Sequence, residues 1–200
     1  MRQTNSSSVE TRELILNAAG RIFAENGFHA TTVRQITHEA GANLAAVNYH
    51  FRDKQELYLH VLKRAHHSAA ATAVADLPGP ASVRLRAFIH SFVGYLLDPQ
   101  RPEWHGVLIA REMAHPTPAL DQLVAESVNP VKRRIAGIVR EILGPDAAGD
   151  RVGLACLSIM GQCLHYVHCR EMIARLFPKG NEIPRDVDGL AEHIFQFSIA

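Results

Sequence analysis

Residues 31–54 read TTVRQITHEAGANLAAVNYHFRDK, a pattern that predicts two short helices joined by a tight turn. Thr32 and Gln35 have the spacing of a capping box, in which the threonine hydroxyl accepts from a backbone N–H and the glutamine side chain reaches back. Gly41 offers a stop for the first helix, and Asn43 is a strong N-cap for the second. The stretch therefore predicts a helix-turn-helix corner, although the spacing alone also fits plain helix packing.

The sequence on either side of this corner is helical in pattern. Residues 10–26 carry apolar side chains at spacings of three and four, and Gly27 ends that run. The Pro-Gly-Pro stretch at 78–80 is the clearest break, because proline lacks a backbone donor. Further helices are predicted over 54–75, 81–98, 103–114, 118–143 with a kink at Pro130, 147–176 and 186–199. These patterns predict an all-α fold with about nine helices.

The composition is that of an ordinary globular chain. Its 200 residues are 47% hydrophobic and 20% charged, which argues against a disordered or fibrous protein. Lysine and arginine number 21 against 20 acidic residues, so the net charge of +1 excludes a polyanion coat but allows a local basic face. Residues 1–64 hold eight basic and six acidic side chains, a small excess whose sign suits contact with phosphate.

The N-terminus and the cysteines indicate a reducing compartment. The first eight residues are polar and lack the apolar stretch of a secretory signal. No run reaches the roughly 20 apolar residues of a membrane span. Cys156, Cys163 and Cys169 are odd in number and crowd into one segment, unlike a secreted disulfide framework. We therefore expect a cytoplasmic protein without membrane contact.

Six short strings in the first third of the chain together resemble the signature of the TetR family of transcriptional regulators. The resemblance is long and free of gaps, which makes it more specific than a lone short motif. The strings are Thr11–Leu16, Ala18–Ala19, Phe23–Phe28, Ala30–Ile36, Ala40–Gly41 and Asn48–Lys54. Two further segments, Asn43–Phe51 and Arg111–Leu120, resemble the CecR-type branch of that family.

The resemblance implies how the chain is divided and what it does. It implies a DNA-binding domain over residues 9–69, with the helix-turn-helix at about 32–51. It implies that residues 76–200 form a larger helical domain that binds a ligand and dimerises through its last two long helices. The implied function is a nucleoid-associated repressor that a small-molecule inducer releases from a palindromic operator. The expected partners are double-stranded DNA, that inducer and a second copy of the chain.

The expected DNA contacts follow from the resemblance and from side-chain chemistry. The resemblance implies a phosphate contact from Tyr49, and His50 and Lys54 carry hydrogen-bond donors suited to the same role. Asn48 suits adenine and Arg34 suits guanine, because their polar atoms match the edges of those bases. The apolar first turn of the second helix can contact only thymine methyl groups. The predicted DNA-binding residues are Thr32, Arg34, Asn43, Leu44, Ala45, Ala46, Asn48, Tyr49, His50 and Lys54.

Polar or adaptable side chains within otherwise apolar helices mark a candidate ligand pocket. The predicted lining residues are His105, Arg111, Met113, Met160, Gln162, His165 and Tyr166. His165 and Cys169, four residues apart, share a helical face that suits zinc or copper, and Cys163 lies nearby. Because no third ligand is evident on that side, core packing or pocket lining is the favoured interpretation. No metal and no cofactor are expected.

Other functions stay open on the sequence alone. A transcriptional activator or a ligand-independent DNA-binding factor would use the same helix-turn-helix. An all-α metal-binding protein or enzyme would use the histidine and cysteine segment. The chain contains no GxGxxG, GxxxxGK[ST] or HExxH motif and no Ser/His/Asp order, so no enzymatic activity is expected.

Overall fold

The computed structural model describes residues 3–66, 78–178 and 186–200. Every regular element within those ranges is helical, which confirms the predicted all-α class. The α-helices are α1 Gln3–Ala30, α2 Val33–Glu39, α3 Leu44–Phe51, α4 Lys54–His66, α5 Ala81–Leu96, α6 Trp104–Ala114, α7 Ala119–Leu123, α8 Asn129–Leu143, α9 Gly149–His168, α10 Arg170–Leu176 and α11 Val187–Ile199. A π-helical segment, Val124–Val128, lies between α7 and α8. The last part of the helix predicted over 54–75 lies outside the described residues.

Local signals start and end the first helices where the sequence predicts. Gly27 breaks α1 with φ 80° and ψ 172°, a conformation that glycine adopts without a side-chain clash. The capping box of Thr32 and Gln35 is present at the start of α2. Gly41 has φ 61° in the turn, and the Asn43 side chain caps α3. The predicted helix-turn-helix is therefore formed by α2 and α3, and we call α1–α4 the head.

Two of the predicted long helices are each divided. The run 118–143 becomes α7, the π-helical segment and α8. Its break precedes Pro130 in the first turn of α8, because proline has no N–H and its ring crowds the carbonyl of the preceding turn. The run 147–176 divides at Cys169, where φ is −96° and ψ is 10°. Because of the breaks before Pro130 and at Cys169, the described residues contain more helical segments than the expected nine.

The chain forms two compact units that are not continuous in sequence. Unit 1 consists of residues 1–67 and 102–127, and unit 2 consists of residues 68–101 and 128–200. The predicted domains follow the chain instead, so the two divisions differ in where they assign α6 and α7. The predicted domain boundaries stay a prediction.

Apolar burial explains why α6 and α7 belong to unit 1. Trp104 and Leu108 of α6 and Leu123 of α7 are buried in one core with the helices of the head. Gly20 makes this packing possible, since a β-carbon there would lie 2.6 Å from indole atoms of Trp104. The second segment of unit 1 is therefore part of the support of the head.

Unit 2 has its own core, formed by α5, α8, α9 and α11. Phe88 and Phe92 of α5 stack with ring centroids 6.0 Å apart. The largest buried contributions from the other helices include Ile135, Ile138, Ile159, Ile194 and Phe195. No single helix in the described ranges combines the length and hydropathy of a membrane span; α9 and α10, bent by 73°, meet that test only when taken together.

Candidate nucleic-acid interface

Helix α3 has one buried face and one exposed face. Val47 and Phe51 are buried in the core of unit 1 and fix the helix on the head. On the opposite face Tyr49 is 80% exposed and Leu44 is 49% exposed. Asn48 is also exposed. An aromatic side chain presented this openly beside an amide is available to a partner that approaches the head.

The N-terminal ends of α2 and α3 are fixed by side-chain caps. The Asn43 Oδ1 atom accepts from the N–H of Ala46 at 2.8 Å. The Thr32 hydroxyl accepts from the N–H of Gln35 at 3.3 Å, and Gln35 Oε1 accepts from the N–H of Thr32 at 2.7 Å. The polar atoms of Thr32 and Asn43 therefore hold the helix ends in place. Both side chains are also exposed, so their predicted contact with DNA is sterically open.

The link between α3 and α4 is a strained turn centred on Arg52. Arg52 has φ 64° and ψ −60°, and the N–H of Asp53 donates to the carbonyl of Phe51 at 2.7 Å. These values describe a γ-turn, which is unfavourable for a residue with a side chain. Asp53 then caps α4, because its Oδ1 atom accepts from the N–H groups of Gln55 and Glu56. The turn sets α4 immediately behind α3.

Lys54 lies at the start of α4 against the end of α1. Its ammonium is 4.5 Å from the ring centroid of Phe28, and Nζ lies 3.5 Å from the carbonyl oxygen of His29. Partial burial lowers the pKa of Lys54 from its usual range. Two exposed residues lie near this lysine: His29 is close in space and Arg52 is close in sequence. Neither is among the predicted DNA-binding residues. His29 comes close to the predicted contact set only through its contact with Lys54, 25 residues away. Sequence spacing cannot predict that contact.

The predicted DNA-binding residues lie on two neighbouring helices and their ends. Arg34 is exposed on α2, where it lines an open groove together with Gln35 and His38. Most of the set is exposed, namely Thr32, Arg34, Asn43, Leu44, Ala45, Asn48 and Tyr49, and Ala46, His50 and Lys54 are half-buried. Chemically, this surface offers an amide, a guanidinium, a phenol, an imidazole and an ammonium around an apolar first turn. Such a set matches base edges and phosphate oxygens.

The predicted pocket residues fall into two groups, one in each unit. In unit 1, His105 is buried against Trp104, with ring centroids 4.1 Å apart. Arg111 donates to the carbonyl of Glu25 at 2.9 Å, and Met113 is 63% exposed. Within unit 1, His105 is therefore packed, Arg111 is hydrogen-bonded and Met113 is exposed. Their role as pocket lining stays a prediction.

The α9 members of the predicted pocket lie in unit 2. Gln162 donates to the hydroxyl of Ser198 at 3.4 Å. The Tyr166 hydroxyl and His193 Nε2 are 3.2 Å apart. Met160 packs at the edge of the unit 2 core, and His165 is exposed. Gln162 and Tyr166 therefore connect α9 to α11.

The cysteines of α9 are packed rather than activated. Cys163 is completely buried, and burial raises the pKa of its thiol to about 12. Because the thiolate is the reactive form, this residue is a poor nucleophile near neutral pH. Among the described residues, no group of three or more histidine, cysteine or acidic side chains is placed to hold a metal ion.

Comparison with known proteins agrees with this geometry. A model described as the C-terminal domain of the HTH-type transcriptional dual regulator CecR matches residues 81–200. A model for bacterial regulatory proteins of the tetR family matches residues 15–61, which contain the helix-turn-helix.

Individual relatives extend the match over most of the chain. The HTH-type transcriptional dual regulator CecR of Shigella flexneri is 26% identical over 178 residues, or 82% of this chain and 78% of that protein. The HTH-type transcriptional repressor AcnR of Corynebacterium efficiens is 32% identical over 101 residues. That alignment covers 50% of this chain and 48% of AcnR, so the chain spans about half the length of this relative.

Solved structures share the fold. The transcriptional regulator FadR of Bacillus subtilis, crystallised with stearoyl-CoA, superposes with a TM-score of 0.68 at 19% identity, covering 94% of this chain and 97% of FadR. HlyIIR, a hemolysin II transcriptional regulator, superposes with a TM-score of 0.61 at 17% identity, covering 95% and 97% of the two chains. The match of the CecR C-terminal model to more than half of the residues, together with the tetR-type head, shows that this chain belongs to the TetR family of bacterial regulatory proteins, in its CecR-like branch.

Proposed function

We propose that this chain is a sequence-specific DNA-binding transcriptional regulator that acts as a homodimer. The observation that carries the proposal is the two-faced α3, whose Val47 and Phe51 are buried while Tyr49 is 80% exposed. A helix fixed by its inner face and capped at its start is held rigidly enough to enter a major groove. Membership of a family of regulatory proteins supports the same function.

In this proposal, contacts with phosphate position the head on DNA, and the Asn48 amide and the Arg34 guanidinium recognise bases. Tyr49 lies in the last turn of α3 and Lys54 is the first residue of α4, so both are close enough along the chain to contact the DNA backbone together. Asn48 and Arg34 are exposed on α3 and α2 and carry the donors suited to adenine and guanine. The apolar Leu44 favours a thymine methyl over a hydrogen-bonded base edge.

Dimerisation is supported by an exposed apolar face in unit 2. Leu154 and Leu157 of α9 are 65% and 71% exposed, and Phe197 of α11 is 70% exposed. Gly161 continues the same face of α9 and is exposed, which allows close approach of another helix. Since α9 and α11 are hydrogen-bonded through Gln162, they can present these side chains together to a second copy. Two heads in such a dimer would read half-sites about one duplex turn, roughly 34 Å, apart.

Control by a small molecule is the finer part of the proposal. The relatives are named as repressors and as a dual regulator, and the FadR structure contains stearoyl-CoA. A repressor released by its ligand fits these names best, and an activator would use the same DNA-binding surface. A ligand controls such a protein by binding one conformation of the dimer more tightly than the other.

The experiment that tests the proposal is selection of bound duplexes from a random-sequence pool by the purified full chain at two salt concentrations. We expect enrichment of a near-palindrome with half-sites one turn apart, and weaker retention at the higher salt. Failure to enrich any sequence at either salt would contradict a sequence-specific regulator.

A further inference from the structure

The head is supported by a segment that lies far from it in the sequence. Helix α6 packs on α1 and α4, with Trp104 filling the space above Gly20 and Leu108 buried in the same core. The chain enters unit 1 at Pro102 and leaves it after Ser127, so both ends of this segment continue into unit 2. If residues 102–127 moved, their contacts with the head would therefore have to change as well.

The most constrained of these contacts is a buried carboxylate. Glu112 of α6 is 1% exposed, and its Oε2 atom accepts from the Tyr58 hydroxyl at 2.7 Å. Its Oε1 atom accepts from the N–H of Thr117 at 2.8 Å and from the Thr117 hydroxyl at 2.9 Å. One side chain thus connects α4, α6 and the start of α7. Burial and the bond to Glu112 raise the pKa of Tyr58, so its hydroxyl stays protonated and remains a donor.

The preceding residue makes a second contact with the head. Arg111 donates to the carbonyl of Glu25 at 2.9 Å, near the break of α1 at Gly27. A β-carbon on Gly27 would lie 3.0 Å from the guanidinium, so the arginine occupies space that only glycine leaves open. Two neighbouring residues of α6 therefore bond the end of α1 and the middle of α4.

Stability alone does not account for a buried carboxylate at this position. Apolar side chains of similar volume often stabilise a core as well as a buried charged network does, because burying the charge carries a desolvation penalty. A triply bonded carboxylate fixes distance and angle in a way that apolar contact does not. Helix α4 starts directly after the turn at Arg52 that ends α3, so the position of α4 sets the position of α3.

We infer that Glu112, through Tyr58, and Arg111, through the carbonyl of Glu25, are positioning residues that set the orientation of α3 for DNA. The inference rests on the proposed function and deepens it, since it names contacts by which residues 102–127 hold the DNA-binding surface in position. Neither residue touches DNA. Their effect is transmitted through α4 and the end of α1.

The experiment compares two replacements of Glu112 in the full chain. Glu112→Met keeps the volume but removes every hydrogen bond. Glu112→Gln keeps them, because the amide oxygen can accept from Thr117 and the NH2 group can donate to the Tyr58 oxygen. For each variant, urea unfolding first identifies conditions in which the protein is fully folded, and affinity for the selected operator is then measured there. Glu103→Met, at an exposed position beside α6, is the control.

We expect folded Glu112→Met to bind the operator roughly three- to thirtyfold more weakly, with Glu112→Gln close to the parent chain. The chain's single tryptophan, Trp104, gives a readout that a merely structural role would not move. Operator should change acrylamide quenching of Trp104 in the parent and in Glu112→Gln, and not in Glu112→Met. If Glu112→Met does not fold, Tyr58→Phe replaces it and should show the same loss of affinity and of the quenching change.

Parent-like operator affinity and quenching in folded Glu112→Met, or in Tyr58→Phe if it is used, would overturn the inference. Equal loss in the Gln and Met variants would also overturn it, since the hydrogen bonds would then not be the cause. Failure of the parent chain to bind any duplex would instead refute the proposed function, so the two failures are distinguishable.

Discussion

Tyr49 shows how much a single side chain contributes to the character of the DNA-binding surface. It is exposed on a helix whose neighbours Val47 and Phe51 are buried, so its aromatic ring stabilises little of the core. Its edge-to-face contact with His50, at 4.9 Å between centroids, holds both rings on the outside of α3. In their proposed roles, Tyr49 would make a neutral phosphate contact and Lys54 a charged one, so substitutions of the two residues should have different salt dependences.

We expect Tyr49→Phe to weaken binding to all duplexes about three- to tenfold, the effect of one lost hydrogen bond, without changing the salt dependence. Lys54→Gln should weaken binding and also reduce the slope of log affinity against log salt by about one, because one fewer counterion is released. Titration of labelled operator at several salt concentrations measures both quantities. Lys132→Gln on α8 is the control, and an unchanged slope in Lys54→Gln would contradict its contact with phosphate.

Arg52 stores backbone strain at the end of α3. A positive φ of 64° with a side chain present costs on the order of 1–3 kcal/mol, and glycine avoids most of that cost. We expect Arg52→Gly to raise the free energy of unfolding by about 1 kcal/mol, after the greater flexibility of glycine in the unfolded chain is allowed for. Urea unfolding measures the change. Arg52→Ala keeps the strain, so a gain of the same size in that variant would show that strain is not the cause.

Among the helices, α3 depends on its neighbours for its stability, and α4 is one of the helices against which it packs. A helix of eight residues is not stable alone, so the Asn43 cap and the buried Phe51 hold α3 in place. The ring of His60 on α4 contacts Phe51 edge to face, at 5.6 Å between centroids. The buried face of α3 therefore packs against a titratable group, the imidazole of His60.

The pKa of His60 is lowered by burial first, then by the nearby charges of Arg12 and Lys63, with Glu56 and Glu126 acting in the opposite direction. A lowered pKa means that the folded chain binds the proton less readily than the unfolded chain. The stability that the neutral ring contributes is therefore fully present above about pH 6.5 and is lost as the pH falls through the lowered value.

We expect His60→Gln to lose less stability than the parent chain when the pH is lowered from 7 to 5. Urea midpoints at several pH values measure this, and His38→Gln controls for the loss of an exposed imidazole. The same pH dependence in the parent and in His60→Gln would show that another group is responsible.

At the scale of the whole molecule, the exposed apolar residues of unit 2 form the surface on which the proposed homodimer rests. Large side chains exposed to 65–71% on one face, such as Leu154 and Leu157, are unusual unless another surface covers them. In the proposed homodimer, a second copy covers them and sets the distance between the two heads. Loss of the dimer should therefore reduce binding to a two-half-site operator more than binding to one half-site.

We expect Leu157→Glu to convert the dimer to a monomer, since it places two carboxylates in an apolar interface. Sedimentation velocity measures the assembly state, and operator affinity should fall with it. Val83→Glu on α5, at a position that is 56% exposed, tests whether any new surface charge has this effect. A Leu157→Glu protein that remains dimeric would contradict the proposed interface.

The sequence by itself determined the helix-turn-helix of this protein and the helix ends within it. The capping box at Thr32, the Asn43 cap and the stop at Gly41 depend on atoms within four residues of each other, so their spacing in the chain is enough to predict them. The alternation of buried Val47 and exposed Tyr49 is local in the same sense. For this reason most of the predicted DNA-binding residues are exposed on a common part of the head.

Only the tertiary structure decided which distant segment supports the head. Tyr58 and Glu112 are 54 residues apart and Lys54 and His29 are 25 apart, and no periodicity in the chain relates them. The division implied by the family resemblance follows the order of the chain and carries no information on this packing, in which Trp104 of α6 is buried against Gly20 of α1. Hydrophobic burial has no preferred direction along the chain, so the partner that covers a given face is known only when the whole core is assembled.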